Sequence, residues 1–212
     1  PVAAVVSYSA ADNSVTIDPS ANLAAMVTYT IAVSQLVTDT NGIAMATDYT
    51  SSFTTGDNRV SLWAPTAQSV LADTGSDVEV GLRFSTSQPG TITKLHFYKT
   101  ATDTSTSHTL NLWSETGVLI GSATTANETA TGWQTATLAT PIAVNASAIY
   151  TASYRASNGV YSYTSGGLSA SVLNGPLTAL AGGGVFSYGG GYPSQSFNNA
   201  NYWVDVDFAA TN

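Results

Sequence analysis

The chain has 212 residues, of which 43% are hydrophobic and only 8% are charged, and its 5 Lys/Arg against 13 Asp/Glu give a formal net charge of −8. Binding to phosphate requires a basic surface, so nucleic acid and anionic membrane surfaces are excluded as favoured partners, and no apolar run approaches the roughly 20 residues that span a bilayer. Cysteine is absent, which excludes disulfides, thiolate metal sites and cysteine nucleophiles.

Residues 1–56 are predicted to form a series of short strands. The chain is rich in Thr and Val and poor in Lys, which is typical of β-structure. In residues 28–33, Tyr29, Ile31 and Val33 alternate with polar or small residues, and successive strand side chains point to opposite sides. Strands are predicted over 2–8, 14–18, 28–33 and 49–55, with turns at 19–22 and 38–42.

The motifs of this segment follow one another in a recognisable order. They are Asp18-Pro19-Ser20, Leu23-Ala24, Thr28-Tyr29-Thr30, Asp39-Thr40-Asn41-Gly42 and Phe53-Thr54-Thr55-Gly56. This order resembles the C-terminal part of a bacterial Ig-like domain of the S-layer-associated type. Such a sandwich usually spans about 100 residues, so the resemblance implies that residues 1–56 lack its opening strands.

A partial Ig-like sandwich has two possible origins. It would expose an apolar face and unpaired strand edges, which favour association. Either the chain was cut from a longer one, or a neighbouring chain supplies the missing strands by β-augmentation. Both alternatives are open from the sequence.

Residues 57–65 are predicted to be a linker, and residues 66–212 a second β-domain. Val80, Leu82 and Phe84 alternate with Glu79 and Arg83, so the apolar residues are predicted to point inward. Further strands are predicted over 92–98, 110–113, 118–123, 133–138, 149–154 and 160–163. Residues 182–192 are predicted to be a glycine-rich loop.

The closing strand of this domain alternates strictly. One face carries Val204, Val206 and Phe208, and the other carries Trp203, Asp205 and Asp207. The first face suits an apolar core. The second presents an aromatic ring beside two carboxylates, which suits a sugar, a calcium ion or an ordinary solvated strand.

The second domain resembles the bacterial domain-of-unknown-function family 4082. The resemblance rests on Gly81-Leu82-Arg83-Phe84, on Asn201-Tyr202-Trp203-Val204-Asp205-Val206, and on the residues at 90–93, 97–99, 112–113, 131–134, 150–154 and 174–177. It implies a β-sandwich like those of many carbohydrate-binding modules, found in large exported proteins next to Ig-like domains. It implies no catalytic residues, because the family has no settled activity.

A carbohydrate-binding face is one functional hypothesis. Sugar rings stack on exposed aromatic side chains that have polar neighbours. The candidate residues are Tyr98, Trp113, Trp133 and Trp203, with Asn111 and Arg83 as polar companions. The alternative is that these rings are half-buried in the sandwich, as amphipathic tryptophans often are.

A calcium site is a second hypothesis, because hard cations take carboxylate oxygens as ligands. The candidate ligands are Asp73, Asp77, Glu79, Asp205 and Asp207, which would converge if the first and last strands of the domain paired. The alternative is a solvated acidic surface.

Catalysis is not favoured. Asp205 and Asp207 lie about 7 Å apart along one strand, but a solvated face or a calcium site explains them more simply than paired-carboxylate hydrolysis. His96 and His108 form no zinc motif, and no nucleophile elbow is present.

The sequence therefore predicts an all-β protein: a partial Ig-like sandwich followed by a larger antiparallel sandwich of jelly-roll or carbohydrate-binding-module type. The predicted role is a non-catalytic structural or adhesive module of an exported bacterial surface protein or fibre. Its expected partners are further copies or domains of the same surface protein. The alternative role is a carbohydrate-binding module.

Overall fold

The computed structural model describes residues 1–63 and 71–211 and confirms the predicted all-β class, because every regular element in these residues is a strand. The chain divides into two compact units, unit 1 over residues Pro1–Asn58 and unit 2 over Arg59–Thr211. In the described part of the chain, no helix has the length and hydropathy required to cross a membrane.

Unit 1 consists of two separate two-stranded antiparallel sheets. Strand β1 (Ala4–Ser9) pairs with β2 (Ser14–Pro19), and β3 (Thr28–Val33) pairs with β4 (Tyr49–Thr54). The structure describes all of residues 1–58 and none of them is buried. Unit 1 therefore has paired strands but no closed hydrophobic core.

Unit 2 contains the remaining described strands. These are β5 (Arg59–Val60), β6 (Leu71–Thr74), β7 (Val78–Thr86), β8 (Gly90–Lys99), β9 (Thr109–Ser114), β10 (Leu119–Thr124), β11 (Gly132–Val144), β12 (Ile149–Ala156), β13 (Val160–Tyr163), β14 (Val172–Asn174), β15 (Leu177–Tyr188) and β16 (Val204–Ala210). A six-stranded sheet has the order β10-β9-β12-β7-β15-β14, and a four-stranded sheet has the order β11-β8-β16-β5. Strands β6 and β13 form a separate pair.

The hydrophobic core of unit 2 lies between the two larger sheets. The predicted alternation in β7 and β16 is confirmed, because the apolar residues of both strands enter one continuous core. Core residues of the two sheets include Val80, Leu82, Phe84, Leu112, Ala152 and Tyr154 from the first, and Ile92, Leu95, Phe97, Val204, Val206 and Phe208 from the second. Unit 2 is therefore an antiparallel β-sandwich with its own core.

The predicted linker over 57–65 needs a correction. Val60 pairs with Phe208, and Arg59 pairs with Ala209, so β5 is an edge strand of the four-stranded sheet. Residues 59–63 thus belong to unit 2, because β16 offers an edge to which they can hydrogen-bond. The end of the predicted linker at 64–65, and residues 66–70 and 212 of the predicted second domain, lie outside the described residues.

The glycine-rich segment predicted as a loop is largely a strand, since β15 continues through Gly182, Gly183 and Gly184 to Tyr188. The ladder between β15 and β7 shifts register between Ala179 and Gly184. At Gly184 a Cβ atom would lie only 1.7 Å from the backbone oxygen of Ala200. The glycine therefore lets the segment before β16 cross β15 at close range.

Gly184→Ala is expected to lower the free energy of unfolding of unit 2 by about 1–3 kcal/mol, because backbone must move to admit the methyl group. Gly75→Ala is the matched control, since a Cβ at Gly75 would meet nothing within 4 Å. Urea unfolding of both variants measures the difference. Equal stability of the two variants would contradict the close approach at Gly184.

Candidate functional site

The residues predicted as one glycan-binding face lie on two different sheets. Tyr98 on β8 and Trp133 on β11 belong to the four-stranded sheet, and Trp203 directly precedes β16 of the same sheet. Trp113 and Asn111 on β9, together with Arg83 on β7, belong to the six-stranded sheet. The single face is therefore corrected to two sets of residues, because β7 and β9 belong to one sheet whereas β8, β11 and β16 belong to the other.

Trp113 is not an exposed ring. Its side chain is 8% exposed, and its indole Nε1 donates a hydrogen bond to Ser153 Oγ at 2.8 Å. Tyr192 covers it, with a distance of 5.8 Å between the ring centroids. Asn111 Nδ2 donates to Glu79 Oε1 at 2.9 Å beside it. These residues form a buried polar network rather than a sugar platform.

Trp203 is also buried, and its indole N–H has a hydrogen-bond acceptor. It is 7% exposed, and its indole Nε1 donates to Thr164 Oγ1 at 2.9 Å. Its φ of 54° lies in the left-handed region, and its backbone N–H donates to Asn201 Oδ1 at 2.9 Å. Trp203 therefore anchors the turn into β16, which corrects its predicted role as an outward ring.

A shallow cleft on the outer face of the four-stranded sheet contains part of the predicted set. This sheet-face cleft has a volume of about 300 Å³ and is lined by Ser61, Trp63, His96, Trp133, Thr135, Asp205 and Asp207. Trp133 is half-buried and meets Tyr98 edge to face at 5.6 Å between centroids. Among the described residues, the buried Trp133 Nε1 finds no hydrogen-bond acceptor.

Asp205 in this cleft is a structural clamp. Its Oδ1 accepts the backbone N–H of Leu62 at 2.8 Å, and its Oδ2 accepts that of Trp63 at 2.9 Å. The side chain thus ties the residues after β5 to β16. Burial raises the pKa of the Asp205 carboxyl to about 6, although the backbone N–H groups that it accepts favour the charged form.

Asp207 is held by three basic side chains. Its carboxylate lies 3.0 Å from His96 Nε2, 3.6 Å from Lys94 Nζ and 3.9 Å from Arg59 Nη1. Its pKa is below the usual range, because these partners outweigh the effect of partial burial. Both carboxylates of the cleft are therefore already engaged by groups of the protein.

Asp205→Asn is expected to change how stability depends on pH. The Asp205 carboxyl binds its proton more tightly in the folded state, with a pKa of about 6 against an ordinary value of 3.8. Its contribution to stability is complete below the unfolded pKa and is lost as the pH rises through the folded pKa. We expect the melting temperature of the wild type to fall relative to the variant between about pH 4 and pH 7.

Asp207→Asn is the matched control, and its effect on the pH dependence of stability should have the opposite sign. The lowered pKa of Asp207 means that its stabilisation is present above pH 3.8 and lost on acidification. Melting curves at several pH values measure both variants. A difference between Asp205→Asn and wild type that stays constant with pH would contradict the raised pKa.

The five predicted calcium ligands do not converge. Asp73 and Asp77 line one cavity, and Asp205 and Asp207 line the sheet-face cleft. Glu79 is 1% exposed, and burial raises its pKa although Ser153 and Asn111 donate hydrogen bonds to it. The predicted convergence fails because β16 pairs with β8 and β5, whereas β7 pairs with β12 and β15.

Among residues 1–63 and 71–211, no group of three or more His, Asp or Glu side chains is arranged to hold a metal ion. Asp77 is instead bound by Arg155, whose Nε and Nη2 donate to its two carboxylate oxygens at 3.0 and 2.5 Å. This ion pair holds the pKa of Asp77 below its usual range.

The structure shows a second cleft that the sequence did not indicate. Its main cavity has a volume of about 560 Å³ and is lined by residues 73–77, Tyr161, Tyr188 and Gly189. An adjoining cavity of about 190 Å³ shares Asp73, Tyr161 and Tyr188 with it and adds Val78, Phe186, Phe197 and Tyr202. We call the two together the tyrosine cleft.

A buried charge cluster of Lys99, Asp103, His108 and Glu128 was also missed. Glu128 lies 2.9 Å from Lys99 Nζ and 2.8 Å from His108 Nδ1, while His108 Nε2 lies 3.0 Å from Asp103. All four side chains are at most 4% exposed. The cluster joins the end of β8 to the loops before β9 and β11, which indicates a structural role.

Comparison with known proteins agrees with both resemblances. Residues 1–55 match a bacterial Ig-like domain family, whose members occur in exported and surface proteins. Residues 63–204 match a family described as a domain of unknown function, DUF4082. No curated protein matches the chain. Because the second match spans more than half of the 212 residues and coincides with the sandwich of unit 2, the protein belongs to the DUF4082 family.

Proposed function

We propose that the protein is a non-catalytic structural module of an exported bacterial surface protein or fibre, and that unit 1 assembles by accepting β-strands from a neighbouring chain. Unit 2 would serve as a self-contained sandwich within that assembly. The Ig-like and DUF4082 matches support a bacterial surface module. The assembly itself rests on the exposed strands of unit 1.

The exposed apolar side chains of unit 1 carry this proposal. Val5, Val6, Tyr8 and Val15 on the β1–β2 sheet are between 60% and 66% exposed. On the β3–β4 sheet, Tyr49 and Phe53 are 55% and 44% exposed. A two-stranded sheet alone is marginally stable in water. Each apolar side chain that moves from water into a core contributes roughly 1.5–3 kcal/mol, so added strands would stabilise this unit.

The groove between the two sheets of unit 1 is the place where such strands would pack. It has a volume of about 320 Å³, and its lining includes Ile17, Tyr29, Ile31 and Phe53. Strand addition supplies backbone hydrogen bonds at the open edges, while side-chain pockets supply specificity. An incoming apolar strand would thus satisfy both the edges and the groove.

The partners of the carboxylates in unit 2 support a non-catalytic role. Asp205 accepts backbone N–H groups, Asp207 binds basic side chains, and Glu128 lies inside the charge cluster. These interactions occupy the carboxylate oxygens with groups of the protein, which leaves them less available to a substrate.

Light scattering of the full chain at several concentrations tests the assembly. We expect the mass to rise with concentration, and we expect Val6→Lys to return the protein to a monomer because it places a charge on the exposed face. Leu173→Lys is the matched control, since Leu173 of unit 2 is 70% exposed. A monomer at all concentrations would contradict assembly in trans, as would equal effects of the two substitutions.

Glycan binding by unit 2 is a second candidate function, and the tyrosine cleft favours it. Tyr188 and Phe197 are each 64% exposed there, beside the carboxylates of Asp73 and Asp77. Exposed rings next to hydrogen-bonding groups are typical of small-ligand sites. A panel of immobilised oligosaccharides, probed with the full chain, tests this function without assuming where the ligand binds.

A further inference from the structure

We propose that the tyrosine cleft of unit 2 is the binding site for a neutral glycan, with Tyr188 and Phe197 as its contact rings. This inference rests on the second candidate function above. It replaces the predicted tryptophan face, whose Trp113 and Trp203 rings are buried. The size, rings, hydrogen-bonding groups and charge of the cleft support a glycan as its ligand.

The size of the cleft fits a small ligand. Its main cavity of about 560 Å³ lies within the range of about 300–1,000 Å³ that is usual for small-molecule sites. The adjoining cavity of about 190 Å³ extends it along the wall formed by Tyr161 and Tyr188. An extended cleft of this kind admits a short segment of a chain-like ligand more readily than a single compact molecule.

The rings of the cleft are exposed although unit 2 has a complete core. Tyr188 and Phe197 leave 64% of their surface in contact with solvent. Phe186 supports Tyr188 edge to face at 5.5 Å between centroids, and Tyr161 meets Tyr202 at 5.8 Å. Rings that are held at one edge and open on one face suit stacking against the C–H face of a sugar.

The hydrogen-bonding groups of the cleft suit hydroxyl groups. Asp73 Oδ2 accepts the Tyr161 hydroxyl at 2.7 Å, and Asp73 Oδ1 accepts the backbone N–H of Thr74 at 2.8 Å. A carboxylate has about four lone-pair positions, so each oxygen keeps capacity for a further donor. Thr74 and Ser76, which carry hydroxyl groups, line the same cavity. Together they offer both acceptors and donors to a polyol.

The charge of the cleft favours a neutral ligand over an acidic one, and an ion pair weakens its attraction for a cation. The charged groups at its wall are Asp73, Asp77 and Arg155, the last through its pairing with Asp77. Asp73 repels an acidic sugar, and so does the net charge of −8 of the whole chain. Against a cation, the two-point pairing with Arg155 offsets the charge of Asp77.

The walls of the cleft are fixed before any ligand arrives. Gly189 N–H donates to the Asp77 carbonyl at 2.8 Å, and Arg155 Nη2 donates to the Gly189 carbonyl at 3.4 Å. Gly75, which also lines the cavity, donates its N–H to the Gly159 carbonyl at 2.9 Å. A site held by its own hydrogen bonds loses little conformational freedom on binding, which favours affinity.

The sheet-face cleft is the rival location, and its groups are more fully engaged. Trp63 Nε1 donates to the Val204 carbonyl at 2.8 Å, and Asp205 is occupied by two backbone N–H groups. His96 contacts Thr135 and Asp207 with its two ring nitrogens. Trp63 and the half-buried Trp133 are its aromatic rings, and Trp133→Ala separates this cleft from the tyrosine cleft.

Calorimetric titration of the full chain tests the inference. The probes are cellohexaose, xylohexaose, mannohexaose and chitohexaose as neutral glycans, an oligogalacturonate as an acidic one, and choline as a cation. The variants are Tyr188→Ala and Phe197→Ala in the tyrosine cleft, Trp133→Ala in the sheet-face cleft, and Tyr8→Ala as a ring of equal exposure in unit 1, at 64%. An unchanged urea midpoint confirms that each variant is folded.

We expect at least one neutral glycan to bind, with affinity reduced at least about tenfold in Tyr188→Ala and Phe197→Ala, as is usual for a central aromatic contact. Trp133→Ala and Tyr8→Ala should bind as the wild type does. Binding that survives both cleft substitutions, or that is lost in Trp133→Ala, would overturn the location while leaving glycan binding in place. No binding to any neutral glycan, or binding to the acidic or cationic probe alone, would overturn both the location and the glycan-binding function.

Discussion

Replacing Glu128 with Gln is expected to lower the free energy of unfolding of unit 2 by about 3–5 kcal/mol, the usual loss when one partner of a buried ion pair is removed. The Glu128 carboxylate accepts hydrogen bonds from Lys99, His108 and Thr125. Its side chain is 1% exposed and that of Lys99 is 4% exposed. Without the carboxylate, the Lys99 ammonium would stay buried beside a neutral amide.

The pH dependence of this cluster follows from the same contacts. Burial raises the pKa of Glu128, but the hydrogen bonds from Thr125, Lys99 and His108 outweigh burial and lower it overall. A lowered pKa gives stability that is present above the unfolded value of 4.5 and lost as the pH falls through the folded value. The difference between wild type and Glu128→Gln should therefore shrink on acidification.

Urea unfolding followed by tryptophan fluorescence measures this prediction. All four tryptophans lie in unit 2, so the signal reports that unit alone. Glu115→Gln is the matched control, because Glu115 is exposed and its substitution should change stability by no more than about 0.5 kcal/mol. Equal stability of the two variants at neutral pH would show that the cluster does not hold the loops together.

Replacing Phe97 with Ala should destabilise unit 2 by about 3–5 kcal/mol, the usual loss for a fully buried phenylalanine. Phe97 is 0% exposed and stacks on Tyr154 at 4.3 Å between centroids. Its ring also meets His108 at 4.6 Å, so it connects the core with the buried charge cluster. The substitution removes packing from both.

Phe53→Ala in unit 1 is the matched control for Phe97→Ala. Phe53 is 44% exposed, and its ring stacks on Tyr29 at 6.0 Å between centroids. We expect no change in the tryptophan-detected transition, because that transition belongs to unit 2. Equal destabilisation by the two substitutions would contradict the division into a closed sandwich and an open unit.

The strand faces of unit 2 could be predicted from the sequence, but their neighbours could not. The period of two in β16 correctly placed Val204, Val206 and Phe208 in the core. The same period assigned Trp113 and Glu79 to the strand face that points away from the apolar core residues. Both side chains are nevertheless buried. Tyr192, far away in the sequence, covers Trp113, and a local pattern contains no information on such contacts.

The two clefts show that the sequence pattern also predicts functional residues only in part. Trp133, Asp205 and Asp207 were predicted and do meet in the sheet-face cleft, because adjacent strands bring outward residues together. The tyrosine cleft combines residues near positions 73, 161, 188 and 197. These come from several strands and loops whose pairing has no local signature.

Hydrogen exchange of the full chain, resolved by segment and compared between dilute and concentrated solutions, tests the central claim most directly. Unit 1 buries no residue, whereas unit 2 has a continuous core. We expect the amides of residues 1–58 to exchange rapidly in dilute solution and to become protected on concentration, while those of unit 2 stay protected throughout. Protection of residues 1–58 equal to that of unit 2 in a dilute monomer would contradict an open unit that accepts strands from a neighbour.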